Sequence, residues 1–177
     1  MSYEKIAAAS PVPATINFYY KIDDLFNDIS LRSMYQSRNK KDGEGNSLLD
    51  EFSITEDERD LFLGLVEDAV YDVFLTFLKY TKAITAPAIF HNIAYTPAGG
   101  SAANTSGVKI VNYEAYNQNY LVAMDKNLFK AIRFYTLRDF AITQGLDDDA
   151  KKFDILYTLA RNNISKIGLQ LKKPLIS

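Results

Sequence analysis

TEDERDLFLGLVEDAVYDVFLTFLKYTK, residues 55–82, decides how the rest of the chain is arranged. Thr55 followed three residues later by Glu58 makes a capping box, in which each side chain satisfies a backbone N–H at the start of a helix. From there Phe62, Val66, Ala69, Val73, Phe77 and Tyr80 recur at spacings of three and four, and Leu61, Leu65, Val70, Phe74 and Leu78 widen the stripe. Only a strip holding Asp60, Asp68, Asp72 and Lys79 stays polar. Acidic residues in the first turns and Lys79 and Lys82 in the last suit the partial charges of helix ends. At 1.5 Å per residue such a helix runs roughly 40 Å. A helix this apolar does not stand in water alone, so other elements must lie along it.

A chain of 177 residues fits one domain, 1–177, with enough length to bury a sizeable core. Hydrophobic residues at 47% and charged residues at 24% are ordinary for a globular protein and argue against wholesale disorder. Twelve Tyr and eleven Phe without any Trp favour surfaces where a ring is covered and its hydroxyl stays wet, as at interfaces. A formal charge of −2 and a pI near 5.4 lack the basic footprint of a nucleic-acid binder. Without cysteine there is no disulfide, thiol nucleophile or thiolate metal site. No apolar run is long enough for a membrane span, and the opening residues are too small and short for an export signal.

Around the long helix, residues 1–15 show neither helical period nor strand alternation and read as an extended N-terminal arm. Ile16, Phe18 and Tyr20 fit a short strand, and Asp23 and Asp24 open a helix with Ile22, Leu25, Phe26, Ile29, Ser33 and Met34 along its stripe. RNKKDGEGN at 38–46 reads as a surface loop, pinned at its far end by Leu48, Leu49 and Phe52. Ile89, His91, Ile93 and Tyr95 alternate with their neighbours, and Val108, Ile110 and Asn112 resume the pattern, giving a β-hairpin at about 87–113. Its tip, residues 97–107, is long and rich in small residues. NQNYLVAM at 117–124 fits either more sheet or an early helix. Asp125 is placed to cap a helix ending at Gly145, with Leu128, Ala131, Ile132, Tyr135, Leu137 and Ile142 inward. Asp147, Asp148 and Asp149 charge the start of a final helix with the stripe Phe153, Leu156, Ala160, Ile164, Ile167 and Leu171. These two helices form an antiparallel hairpin, and Phe62, Val66, Phe77, Leu128, Ile132, Leu156 and Leu159 are expected in one core. The fold class is mainly α: an antiparallel helical bundle over 16–171 with an inserted β-hairpin and extended arms, the last being the tail 172–177.

No residue announces a chemistry. His91, the single histidine, sits in an alternating strand without a marked catalytic partner, and there is no G-x-S-x-G elbow. The aspartates 147–149 fit helix capping better than metal ligation, and DGEGN at 42–46 is only half a calcium loop. Glycine spacing offers no phosphate cradle. The expectation is a nonenzymatic protein without cofactor or metal.

INFYYKIDDLF at 16–26, the polar loop, ITEDERDLFLGLVEDAV at 54–70, LFKAIRFYTLRDFAITQGL at 128–146 and a last helix ending in Lys172, Lys173 and Pro174 together resemble the head-tail connector (neck adaptor) proteins of tailed phages, of the Bacteroides and crAss-like phage type. The resemblance implies a structural virion protein in the neck, assembled in the bacterial cytoplasm as a ring of about a dozen copies under the portal. Its partners would be other copies, the portal protein and a neighbouring neck or tail ring protein. DNA would pass through without sequence-specific binding, since a mildly acidic lumen repels phosphates. Under this reading Pro97, Gly99, Gly100, Asn104 and Gly107 of the tip and Lys172, Lys173, Leu175 and Ile176 of the tail are interface candidates. A tail terminator or other neck ring protein, and a cytoplasmic helical interaction module, are the alternatives.

Overall fold

The computed structural model describes residues 3–6, 15–38, 40–41, 44–47, 53–78, 89–111 and 120–171. The capping box forms as read: Glu58 Oε2 accepts from the Thr55 backbone N–H at 2.6 Å and from its hydroxyl at 2.9 Å. It opens a single 3-10 turn at Glu56–Glu58, from which α2 (Arg59–Leu78) continues. Phe62, Val66, Ala69, Val70 and Val73 are buried, whereas Leu61, Tyr71 and Leu75 are exposed. The open strip of α2 is therefore wider and more apolar than the sequence reading allowed. The side chains of Phe77 and Leu78, and all of 79–82, lie outside the described residues.

Before α2 comes α1 (Ile22–Ser37), whose Ile22, Leu25, Phe26, Ile29 and Ser33 are buried while Met34 is exposed. Ser33 Oγ accepts from the Ile54 N–H at 2.9 Å and Ser30 Oγ donates to the Ile54 carbonyl at 2.6 Å, fixing the approach to α2. The loop after α1 is tied down as well, because Lys40 pairs with Asp149 at the start of the last helix. Leu48, Leu49 and Phe52 lie outside the described residues.

α3 (Leu121–Thr143) and α4 (Asp147–Leu171) run antiparallel. Asn163 meets Asn127, Tyr157 meets Tyr135 and Asp154 meets Arg138, pairs that climb one helix while descending the other. Gly145, at φ +68, takes the left-handed conformation that ends α3. Asp125 is not the cap: α3 begins four residues earlier, and Asp125 is buried within it, accepting from Tyr20 Oη at 3.2 Å. Burial and that carboxylate together push the Tyr20 phenol far above its ordinary range. Three further positions depart from the expected core. Ile142, Leu156 and Leu159 are 56%, 39% and 56% exposed, and Tyr157 takes the inward place on α4. Phe62, Val66, Leu128 and Ile132 do share the core, with Phe153, Ala160 and Ile164 from α4.

The strands make more than an inserted hairpin. β1 (Tyr3–Ile6), β2 (Thr15–Lys21), β3 (Ile89–Tyr95) and β4 (Ala103–Val111) form one antiparallel sheet in the order β1-β2-β4-β3. Residues 3–6, read as part of a free arm, are thus an edge strand of the chain's own sheet. Ile16, Phe18, Tyr20 and Val108 occupy the face that packs on the helices, where the Tyr20 ring lies tilted against Phe129 of α3 with centroids 5.6 Å apart. β4 is the second correction: residues 103–107, read as loop tip, are its first five residues.

Candidate interaction surface

The tip that remains, residues 96–102, is ordered by its own chain. Gly100 N–H donates to the Pro97 carbonyl at 2.9 Å, closing a four-residue turn, and its third position, Gly99, needs φ +75. Glu4 of β1 clasps this turn: Oε1 accepts from the Ala98 N–H at 2.9 Å and Oε2 from the Tyr95 hydroxyl. Asn17 Nδ2 in turn donates to Tyr95 Oη at 3.0 Å. Burial, then the Glu4 hydrogen bond, raise the Tyr95 phenol above its ordinary value. Asn104 is an exposed residue of β4, and Gly107 is buried in mid-sheet between Tyr19 and Phe90. A Cβ there would lie 1.9 Å from the Phe18 carbonyl oxygen, so the glycine is demanded by close strand approach. Of the five tip candidates the structure brings Pro97, Gly99 and Gly100 together in the turn and separates Asn104 and Gly107 from it. Lys172, Lys173, Leu175 and Ile176 lie outside the described residues.

His91 has the partner that sequence spacing did not reveal. Its Nδ1 lies 2.9 Å from Ser106 Oγ, and the Asn92 N–H donates to the same oxygen at 3.1 Å. Asn92 has φ +46 where the β3–β4 register shifts between Phe90 and Ile93. The contact therefore fastens a bulge. Ser106 is wholly buried and its hydroxyl is engaged by both groups. Burial lowers the His91 pKa, with Glu67 acting in the opposite direction.

Two regions on the helices are open. Along α2, exposed Leu61, Tyr71 and Leu75 alternate with exposed Asp60, Glu67 and Asp68. Where α3 turns into α4, an open groove of about 680 Å³ is lined by Arg138, Ile142, Ala150, Lys151, Asp154 and Ile155. Arg138 lies 4.3 Å from the Tyr135 ring centroid and 5.2 Å from that of Tyr157, while pairing with Asp139 at 2.7 Å and Asp154 at 3.2 Å. It is thereby held by its own chain. Tyr157 also hydrogen-bonds Asp72, and Arg161 Nε donates to Thr76 Oγ1 at 2.7 Å, so polar ties fasten α4 to α2. Periodicity marked Tyr135 as inward but not the ties of Arg138, Tyr157 and Arg161, which are made to residues on other helices.

Among the described residues no group of three or more His, Cys, Asp or Glu is placed to hold a metal ion. No helix among them is long and apolar enough to cross a membrane. Compared with protein-family models, curated proteins and solved structures, the chain matches none.

Proposed function

We propose that this chain is a structural subunit that works by assembly, in the manner of a head-tail connector ring beneath a phage portal. The observation that carries the reading is the amount of contact-ready surface the described fold leaves open. β1 and β3 are sheet edges, a geometry to which an extended segment of a neighbour can add by backbone hydrogen bonds. On the helices, Leu61, Tyr71, Leu75, Ile142, Ile155, Leu156 and Leu159 all stand exposed, and such apolar surface suits protein contact. The mildly acidic chain agrees with a conduit from which DNA slides free. Partners under this reading are other copies, a portal protein and an adjoining neck or tail ring protein.

Native mass spectrometry and negative-stain microscopy of the full chain, alone and with a portal ring, test it. The expected result is a closed ring of about a dozen copies, formed alone or on the portal. A monomer indifferent to the portal overturns the reading in favour of a helical interaction module.

A further inference from the structure

Gly64 stands in the second turn of α2 with nothing within 4 Å of where its Cβ would be. Glycine in a helix interior is among the least favourable residues, and no described residue requires it there. Its surroundings explain it better from outside. At the helical repeat Gly64 lies on the open strip with Asp60, Asp68, Tyr71 and Leu75, so the backbone is bare where another helix would approach most closely. Asp60 and Asp68 make no ion pair among the described residues.

On α3 the chain presents the opposite chemistry. Lys126 and Lys130 are exposed one turn apart and likewise make no ion pair among the described residues, an arrangement that costs helix stability through like-charge repulsion. They flank half-buried Phe129 in an open groove of about 340 Å³. Beneath them Arg133 is 8% exposed, and its buried Nε has no partner, although Nη1 pairs with Asp28 at 3.1 Å. Burial lowers the Arg133 pKa and nearby Arg32 adds to the effect, with Asp28 opposing.

We infer that the strip of α2 around Gly64 docks against the Lys126–Lys130 strip of α3 in a second copy of this chain, carboxylates meeting ammonium groups while Tyr71 and Leu75 cover apolar surface beside Phe129. The inference rests on the assembly reading above and names the surfaces that carry it. Both strips have the spacing of one helix face, and their charges are complementary, which specifies partner and register. The bare backbone at Gly64 permits the close crossing.

Charge reversal in the full-length chain, read by analytical ultracentrifugation, provides the test. Lys126→Glu with Lys130→Glu weakens self-association at least about tenfold, as does Asp60→Lys with Asp68→Lys. Combining all four restores association to within about threefold of the parent, because the pairs reform with signs exchanged. All four positions are exposed, so no variant buries a charge, and circular dichroism checks that each keeps the parent's helix content. Gly64→Leu supplies an independent readout: it raises the subunit's melting temperature through helix propensity while weakening association. Association unchanged by these variants, or not restored by the combination, overturns the interface and leaves the assembly reading standing. A parent chain that stays monomeric with and without a portal overturns both.

Discussion

Along α2, Phe62, Val66, Ala69, Val70 and Val73 are each at most 1% exposed, and it is apolar packing that holds the helices together there. The sheet is held differently. Glu4, Tyr95 and Asn17 form a polar clasp, Ser106 ties His91 to the bulge, and the backbones of β2 and β4 close up at Gly107. Apolar packing is graded, since a lost methylene costs a little and a lost ring costs more. Close strand approach is closer to all-or-none: one added carbon has no place to go. The two regions should therefore respond to substitution by different rules.

Val66→Asp breaks the helical side most severely. It places a carboxylate at a fully buried position with no described cation to meet it, costing about 4 kcal/mol or more, a large share of a typical domain's 5–15 kcal/mol. The expected thermal melt shows loss of the cooperative transition at ordinary temperatures. A variant melting like its parent would mean that α2 is not the centre of the core.

Gly107→Ala does comparable harm with a single methyl group. The new carbon meets the Phe18 carbonyl at 1.9 Å and the Phe90 ring at 3.0 Å, so β2 and β4 must separate, at about 3 kcal/mol. Gly99→Ala in the turn has open space and meets only the positive-φ penalty, about 1 kcal/mol. Denaturant midpoints of the two variants measure the difference directly. Equal losses would show that the sheet tolerates opening at its centre as readily as at its rim.

The contrast also explains what could be read from the residues. Helix periods, the Thr55–Glu58 box, Gly145 and the acidic start of α4 are local signals, each decided within a few positions, and they gave correct elements. Leu156 and Tyr157 were exchanged because either fits a 3.6-residue period, and the choice is made by Tyr135 and Asp72 on other helices. ANTSG, at the start of β4, has the composition of a loop. Its strand character comes from β2 on one side and β3 on the other, with Phe90 lying over Gly107 in place of a side chain. Tyr3–Ile6 belongs to the sheet for a similar reason, since Glu4 reaches residues ninety or more positions away. Of the candidate interface, the exposed strip on α2 was half visible as polar positions, but the outward turn of Tyr71 and Leu75 depended on which neighbours α2 meets.

The smallest expected effect is a pH dependence that separates the two regions by their titrating groups. Burial depresses the His91 pKa below the ordinary imidazole value, Glu67 opposing, so the fold favours the neutral ring. Below about pH 6.5 the unfolded chain then binds more protons at this site than the folded one. Its contribution to stability is complete above that value and declines as the pH falls toward the folded-state pKa. Asp149 on the helical side works in a lower window. Burial raises its carboxyl, but hydrogen bonds from Lys40 and Lys152 outweigh burial and hold it below the usual range. Its contribution is present above about pH 3.8 and is lost as the pH falls through the folded-state value. His91→Gln keeps a hydrogen-bonding group beside the Ser106 hydroxyl but cannot titrate, so the variant's stability should fall less than the parent's between about pH 7 and 5. Asp149→Asn should leave that interval unchanged and alter only the acid limb. Urea midpoints at half-unit pH steps resolve the two windows; a His91→Gln curve parallel to the parent's would show that the imidazole is not held neutral by the sheet.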